Sequence, residues 1–103
     1  MAVRLEWSSR ARRDLLDLYV KIGLDNPGAA ERLYERIEKR AAMLREEPRL
    51  GPRRDDIRAR LRMLVENPYL VFYQLTPDAE NEPVERVEIL RVLDGRRDLL
   101  RLL

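Results

Sequence analysis

The sequence predicts an α+β domain: an N-terminal short strand and an antiparallel helical hairpin, packed on a small antiparallel β-sheet, with a short C-terminal helical turn. Three observations carry that prediction. Two stretches repeat apolar residues at spacings of three and four, three later stretches are apolar and β-rich between turn residues, and only a short joint separates the two helical stretches. The 103 residues fit a single domain over 1–103. A chain of this size hides roughly two-thirds of its surface, enough for a modest core without staples.

The elements follow in order. Val3 and Leu5 alternate with Arg4 and Glu6, the pattern of a short edge strand. Ser8 or Ser9 fits an N-cap and opens a helix to about Leu24, with Ala11, Leu15, Leu18, Tyr19 and Ile22 on one stripe. Asn26 then caps a second helix with Pro27 at its first position, where the missing N–H costs nothing. Ala30, Leu33, Tyr34, Ile37, Ala41 and Leu44 mark its buried side, and Pro48 ends it after about Glu47. Pro48 to Asp56 reads as a loop. Leu61 to Val65 and Tyr69 to Leu75 read as paired strands across the turn Glu66-Asn67-Pro68, and Val84 to Leu93 as the third meander strand. Thr76 to Pro83 is a polar, acidic connection expected to be mobile, and Arg96 to Leu103 is the expected last helical turn.

Composition removes whole classes of chemistry. Cysteine and histidine are both absent, so disulfides, thiolate metal sites and the commonest general base are excluded. No cofactor or metal is implied. No apolar run reaches the roughly 20 residues a membrane helix needs. The first residues do not form a signal peptide, so the expected location is cytoplasmic. Charged residues make up 39% of the chain, and Lys21 and Lys39 are its only lysines. Either arginine's planar fork is wanted for carboxylate or phosphate, or the bias reflects GC-rich coding. The charge is uneven: Arg45 to Arg62 holds seven arginines against four acids, and Pro77 to Glu88 holds five acids against one arginine.

An ordered set of short motifs spans nearly the whole chain: Ala11-Arg12-Arg13-Asp14-Leu15, Asn26-Pro27-Gly28-Ala29-Ala30, Pro48-Arg49-Leu50-Gly51, Leu61-Arg62, Tyr69-Leu70-Val71-Phe72-Tyr73, and Val87 to Leu99. This set resembles the ParE branch of the RelE/ParE toxin superfamily. The resemblance implies the toxin half of a type II toxin–antitoxin pair, inhibiting DNA gyrase by protein contact and silenced by a ParD-like antitoxin in a hetero-oligomer. It also implies that operon repression runs through the antitoxin's DNA-binding end, with no sequence-specific DNA binding by this chain. Two positions depart from the family pattern: Asp94 stands where histidine is common, and Arg60 where glycine is frequent.

The RNA-cutting relatives give the runner-up reading, a ribosome-dependent mRNA endoribonuclease; a degenerate toxin that only binds antitoxin is a third. Cleavage beside a 2′-hydroxyl needs a base, an acid and cations for the developing charge. Arginines supply the cations, but without histidine only Tyr69, Tyr73, two lysines or a carboxylate remain for proton transfer. No tyrosine or lysine follows Gly95, so no catalytic residue is assigned and a non-enzymatic toxin is expected. Arg91, Asp94, Arg96, Arg97 and Asp98 are the candidate target-binding residues. Arg91 lies mid-strand in apolar company and needs a carboxylate, with Asp94 and Asp98 the nearest in sequence. Arg54, Arg58, Arg60, Arg62, Tyr69 and Phe72 are the candidate antitoxin-binding residues, the arginines suited to forked bonds with an acidic arm. The competing view is a solvated loop neutralised by Asp55 and Asp56, with Tyr69 and Phe72 belonging to the core.

Overall fold

Both helices start at the caps the sequence offers. In the computed structural model, which describes residues 2–97, Ser8 Oγ accepts the N–H of Ala11 and Asn26 Oδ1 accepts the N–H of Ala29. Each bond satisfies a donor that the first helical turn leaves open. Strand β1 (Arg4–Trp7) leads into helix α1 (Ser9–Gly23), and helix α2 (Pro27–Ala42) follows. The second helix stops being α-helical five residues earlier than expected, because Met43–Arg45 tightens into a 3-10 turn ahead of Pro48. Strands β2 (Arg62–Glu66), β3 (Tyr69–Thr76) and β4 (Arg86–Asp94) complete the fold.

The four strands form one sheet in the order β1-β4-β3-β2. Strands β2, β3 and β4 make the expected antiparallel meander. The sheet is nevertheless mixed, because β1 lies parallel to β4, with Arg4 opposite Arg86 and Trp7 opposite Ile89. A parallel pair needs a long crossover, and the helical hairpin with β2 and β3 supplies it. The expected C-terminal helical turn falls largely outside the described residues.

The main core lies between the helical hairpin and one sheet face, where Leu15, Leu33, Ile37 and Leu44 meet Val71, Tyr73, Val87 and Ile89. Burying side chains of this size contributes about 1.5–3 kcal/mol each. The opposite face is covered as well: Phe72, Leu61 and Leu93 form a second cluster, with Ile57, Met63, Leu70 and Leu90 against it. Its cover is the stretch between Arg53 and Leu61, which the sequence alone left without a role in packing. The acidic connection after β3 is anchored rather than loose, since Arg49 Nη2 donates to the carbonyls of Ala79 (2.6 Å) and Glu82 (3.0 Å).

Candidate protein-binding site

Between Phe72 and Tyr73 the β3–β4 register shifts, which leaves an extra residue on β4. Such a bulge re-aims neighbouring side chains. Arg91 thereby reaches across to α1, its Nε 2.7 Å from Asp14 Oδ2, while the next residue, Val92, still packs in the main core. Asp14 also accepts the Val92 N–H at 3.0 Å, and both paired side chains are nearly buried. Among the described residues Arg91 pairs with Asp14 and not with Asp94, and this arginine braces the sheet against the helix. Asp98 lies outside the described residues.

Beyond Arg91 the strand ends in a compact polar turn. Asp94 accepts three bonds from Arg96: its N–H at 2.9 Å, Nε at 2.9 Å and Nη2 at 2.7 Å. The Arg96 fork and then the Arg96 N–H hold the Asp94 carboxyl well below its ordinary value, at about 2. Gly95 closes the turn by donating its N–H to the Pro68 carbonyl at 2.8 Å. Arg97 is exposed, and its side chain makes no ion pair among the described residues. Two clefts flank Asp94. One, of about 230 Å³, runs between α1 and β4 past Arg10, Asp17, Lys21 and Arg97; the other, of about 290 Å³, is bounded by Lys21, Tyr69 and Arg96. This end of the fold sets the guanidinium groups of Arg10, Arg96 and Arg97 and the Lys21 ammonium among the carboxylates of Asp14, Asp17, Asp25 and Asp94.

The second candidate cluster divides once it is folded. Arg54 is forked onto Asp56 at 2.9 Å, and Arg53 is paired with Asp55 at 3.1 Å. Asp55 is pushed below the usual carboxylate range, first by the Arg60 N–H and then by the Arg53 side chain. Arg62 leaves the surface: it is buried against Asp78, with Nη2–Oδ1 at 3.0 Å and Nε–Oδ2 at 3.1 Å, and its Nη1 donates to the Gly51 carbonyl at 2.8 Å. Phe72 is fully buried. Neither residue can form a contact surface in this fold, and both are corrected to structural roles. Arg58 and Arg60 remain exposed, and Tyr69 is half-buried beside the Asp94 turn.

The same burial removes one base from the RNA-cutting reading. The Tyr73 hydroxyl donates to the Pro48 carbonyl at 2.9 Å and accepts the Gly51 N–H at 2.8 Å. Burial pushes its ionisation upward, away from the range a base needs. Gly51 must be glycine for this arrangement, since a Cβ there would lie 2.6 Å from the Met63 carbonyl oxygen and 2.9 Å from the Tyr73 hydroxyl. No group of acidic side chains placed to hold a metal ion occurs among the described residues. Asp14 and Asp78, the partners of Arg91 and Arg62, escape a linear reading because each lies far from its arginine along the chain.

The chain is thus a small α+β domain with a mixed four-stranded sheet, a helical hairpin and an exposed turn bearing Arg96 and Arg97 at the end of β4. Residues 5–99 match the family described as the ParE toxin of the type II toxin–antitoxin system parDE. The chain belongs to that family. A chain in the structure described as the chromosomal ParDE TA system from P. aeruginosa superposes with a TM-score of 0.71 at 20% identity, covering 89% of this chain and 95% of the other. That likeness establishes the shared fold. Comparison with curated proteins finds no match. Among the described residues, no helix is long and apolar enough to cross a membrane.

Proposed function

We propose that this chain, a ParE-type toxin, acts in the cytoplasm by binding DNA gyrase through the end of β4, and that a ParD-like antitoxin neutralises it in a hetero-oligomer. The observation that carries the mode of action is the chemistry of the Asp94–Arg97 turn. Arg96 and Arg97 supply positive charge but no group that exchanges protons near neutral pH. Asp94, held at about 2, is a weak proton acceptor. The surface is thus equipped to bind and poorly equipped to cleave. The solved ParDE assembly, which pairs toxin with antitoxin, supports an antitoxin as the partner here.

The test is a gyrase supercoiling and cleavage assay with the purified chain and with the double variant Arg96→Ala/Arg97→Ala. Cleaved DNA should accumulate with the native protein and not with the variant, whose fold and antitoxin binding should persist. Undiminished gyrase inhibition by the variant would overturn the assignment of the surface. Intact gyrase activity beside ribosome-dependent mRNA cutting would overturn the mechanism.

A further inference from the structure

Asp94-Gly95 is the only Asp-Gly pair in the chain, and the sequence holds no Asn-Gly pair. Asn26 and Asn67 precede proline, whose nitrogen carries no hydrogen. An aspartate before glycine is open to attack on its carboxyl by the next main-chain nitrogen, because glycine has no Cβ to screen that nitrogen. Glycine is nevertheless fixed at 95 by packing. A Cβ there would lie 3.0 Å from the Pro68 carbonyl oxygen and 3.2 Å from Leu70 Cγ. No glycine among the described residues has positive φ, so close approach to the β2–β3 turn demands it, not backbone conformation. The fold therefore needs a chemically labile pair at the end of β4, on an exposed turn that water reaches.

The reaction open to this pair is a ring closure followed by hydrolysis. The Gly95 nitrogen bonds to Asp94 Cγ, the Cγ–O bond breaks, and one water leaves, made from the carboxyl hydroxyl and the amide proton. A second water then opens the five-membered succinimide at either carbonyl. One product is the original aspartate; the other is isoaspartate, whose main chain runs through the side-chain carboxyl carbon and is one atom longer.

Ring closure needs a protonated carboxyl, an available amide nitrogen, and a side chain free to turn onto it. The fold withholds each. Arg96 binds both carboxyl oxygens, Nε and N–H to Oδ1 at 2.9 Å and Nη2 to Oδ2 at 2.7 Å, so the group is held toward the residue beyond the glycine. The same bonds keep the carboxyl ionised. The Gly95 N–H is already given to the Pro68 carbonyl at 2.8 Å, which fixes the plane of the peptide that would have to rotate.

We propose that Asp94-Gly95 is a latent isoaspartate site, and that the Arg96 fork, with the Gly95–Pro68 bond, keeps it closed in the folded chain. Conversion would take the carboxylate away from Arg96 and lengthen the main chain inside the turn, so the site joins chemical ageing to the shape of this end of the fold. The proposal does not depend on the toxin reading.

The test is prolonged incubation of the purified full chain at neutral pH, with the linkage at Asp94 quantified by electron-transfer fragmentation, which separates the two products of equal mass. Folded native chain should convert slowly. Arg96→Ala should convert about five- to tenfold faster, the effect of losing a charge-assisted fork at a partly exposed site. Arg96→Lys, which keeps the charge and loses the fork, should fall between them. In concentrated urea all three should convert at one fast rate. Circular dichroism confirms that each variant is folded in buffer; were Arg96→Ala unfolded there, Arg96→Lys would carry the comparison. Equal rates for the folded native chain and the folded variants would remove Arg96 from the role, and native conversion as fast in buffer as in urea would overturn the protection altogether. The readout uses neither gyrase nor antitoxin, so its failure leaves the gyrase reading standing, and the reverse also holds.

Discussion

Asp78→Ala should destabilise the chain more than its position in an acidic surface connection would lead one to expect. The Asp78 side chain is 3% exposed and that of Arg62 11%, so both charges of the pair are withdrawn from water. Truncating Asp78 removes two of the three bonds around the Arg62 guanidinium and leaves only the one to the Gly51 carbonyl. Breaking one side of a buried pair typically costs about 3–5 kcal/mol, because the remaining charge stays buried and unpaired. The surviving Gly51 bond and some water entry place the loss here near 3 kcal/mol by the same reasoning, a large share of the roughly 5–15 kcal/mol available to a domain of this kind. Urea denaturation reads it directly: at an m-value of about 1.5 kcal/mol per M, the midpoint should fall by about 2 M. Replacing both partners with apolar residues of similar volume should cost less than Asp78→Ala alone. A loss below about 1 kcal/mol would show that the pair behaves like an exposed ion pair and refute the argument.

Two further outcomes follow from contacts already described. Gly51→Ala would bring a Cβ to 2.6 Å from the Met63 carbonyl oxygen, so the backbone or the Tyr73 bond must give way; a cost of about 2–3 kcal/mol should lower Tm by roughly 10 °C, and an unchanged Tm would show that the loop yields freely. The Asp94 carboxyl is depressed in the folded chain to about 2, so its stabilisation is present above its ordinary value of 3.8 and is lost as pH falls through about 2. Discounted for solvent screening, that contribution is at most about 1 kcal/mol. Asp94→Asn should therefore be less stable than the native chain at pH 6, with the difference closing by about pH 2; a gap independent of pH would assign it to shape and not charge.

Features settled within a few residues were legible in the sequence. Ser8 and the Asn26-Pro27 pair set where the helices start, and the alternation of Val71 and Tyr73 against Phe72 sorted the faces of β3 correctly. What escaped was set by residues distant along the chain. The direction of β1 depends on β4, some eighty positions later, and four residues cannot encode it. Strict alternation hides the bulge in β4, so a linear reading does not find Asp14, which the fold brings to Arg91 from α1. The candidate surfaces were only partly readable for the same reason. Arg62 and Phe72 look like contact residues until Asp78 and the Gly51 carbonyl take up the Arg62 guanidinium and Phe72 packs with Leu61 and Leu93. Asp94 and Arg96, only two positions apart, pair with each other, a closeness that a linear reading does reach.

The parallel pairing of β1 with β4 also sets an order on synthesis. The helical hairpin has its own caps and contacts and can form while the chain is still emerging, but the sheet beneath it lacks its central strand until residues 86–94 are made. Strand β4 stands between β1 and β3, so its arrival joins the first strand to the meander and finishes both cores in one step. Long-range pairing of this kind is slow to nucleate. The strand that completes the fold also ends in the turn bearing Arg96 and Arg97. A ribosome-bound fragment lacking β4 therefore lacks the proposed effector surface, which takes shape only when residues 86–94 join the sheet.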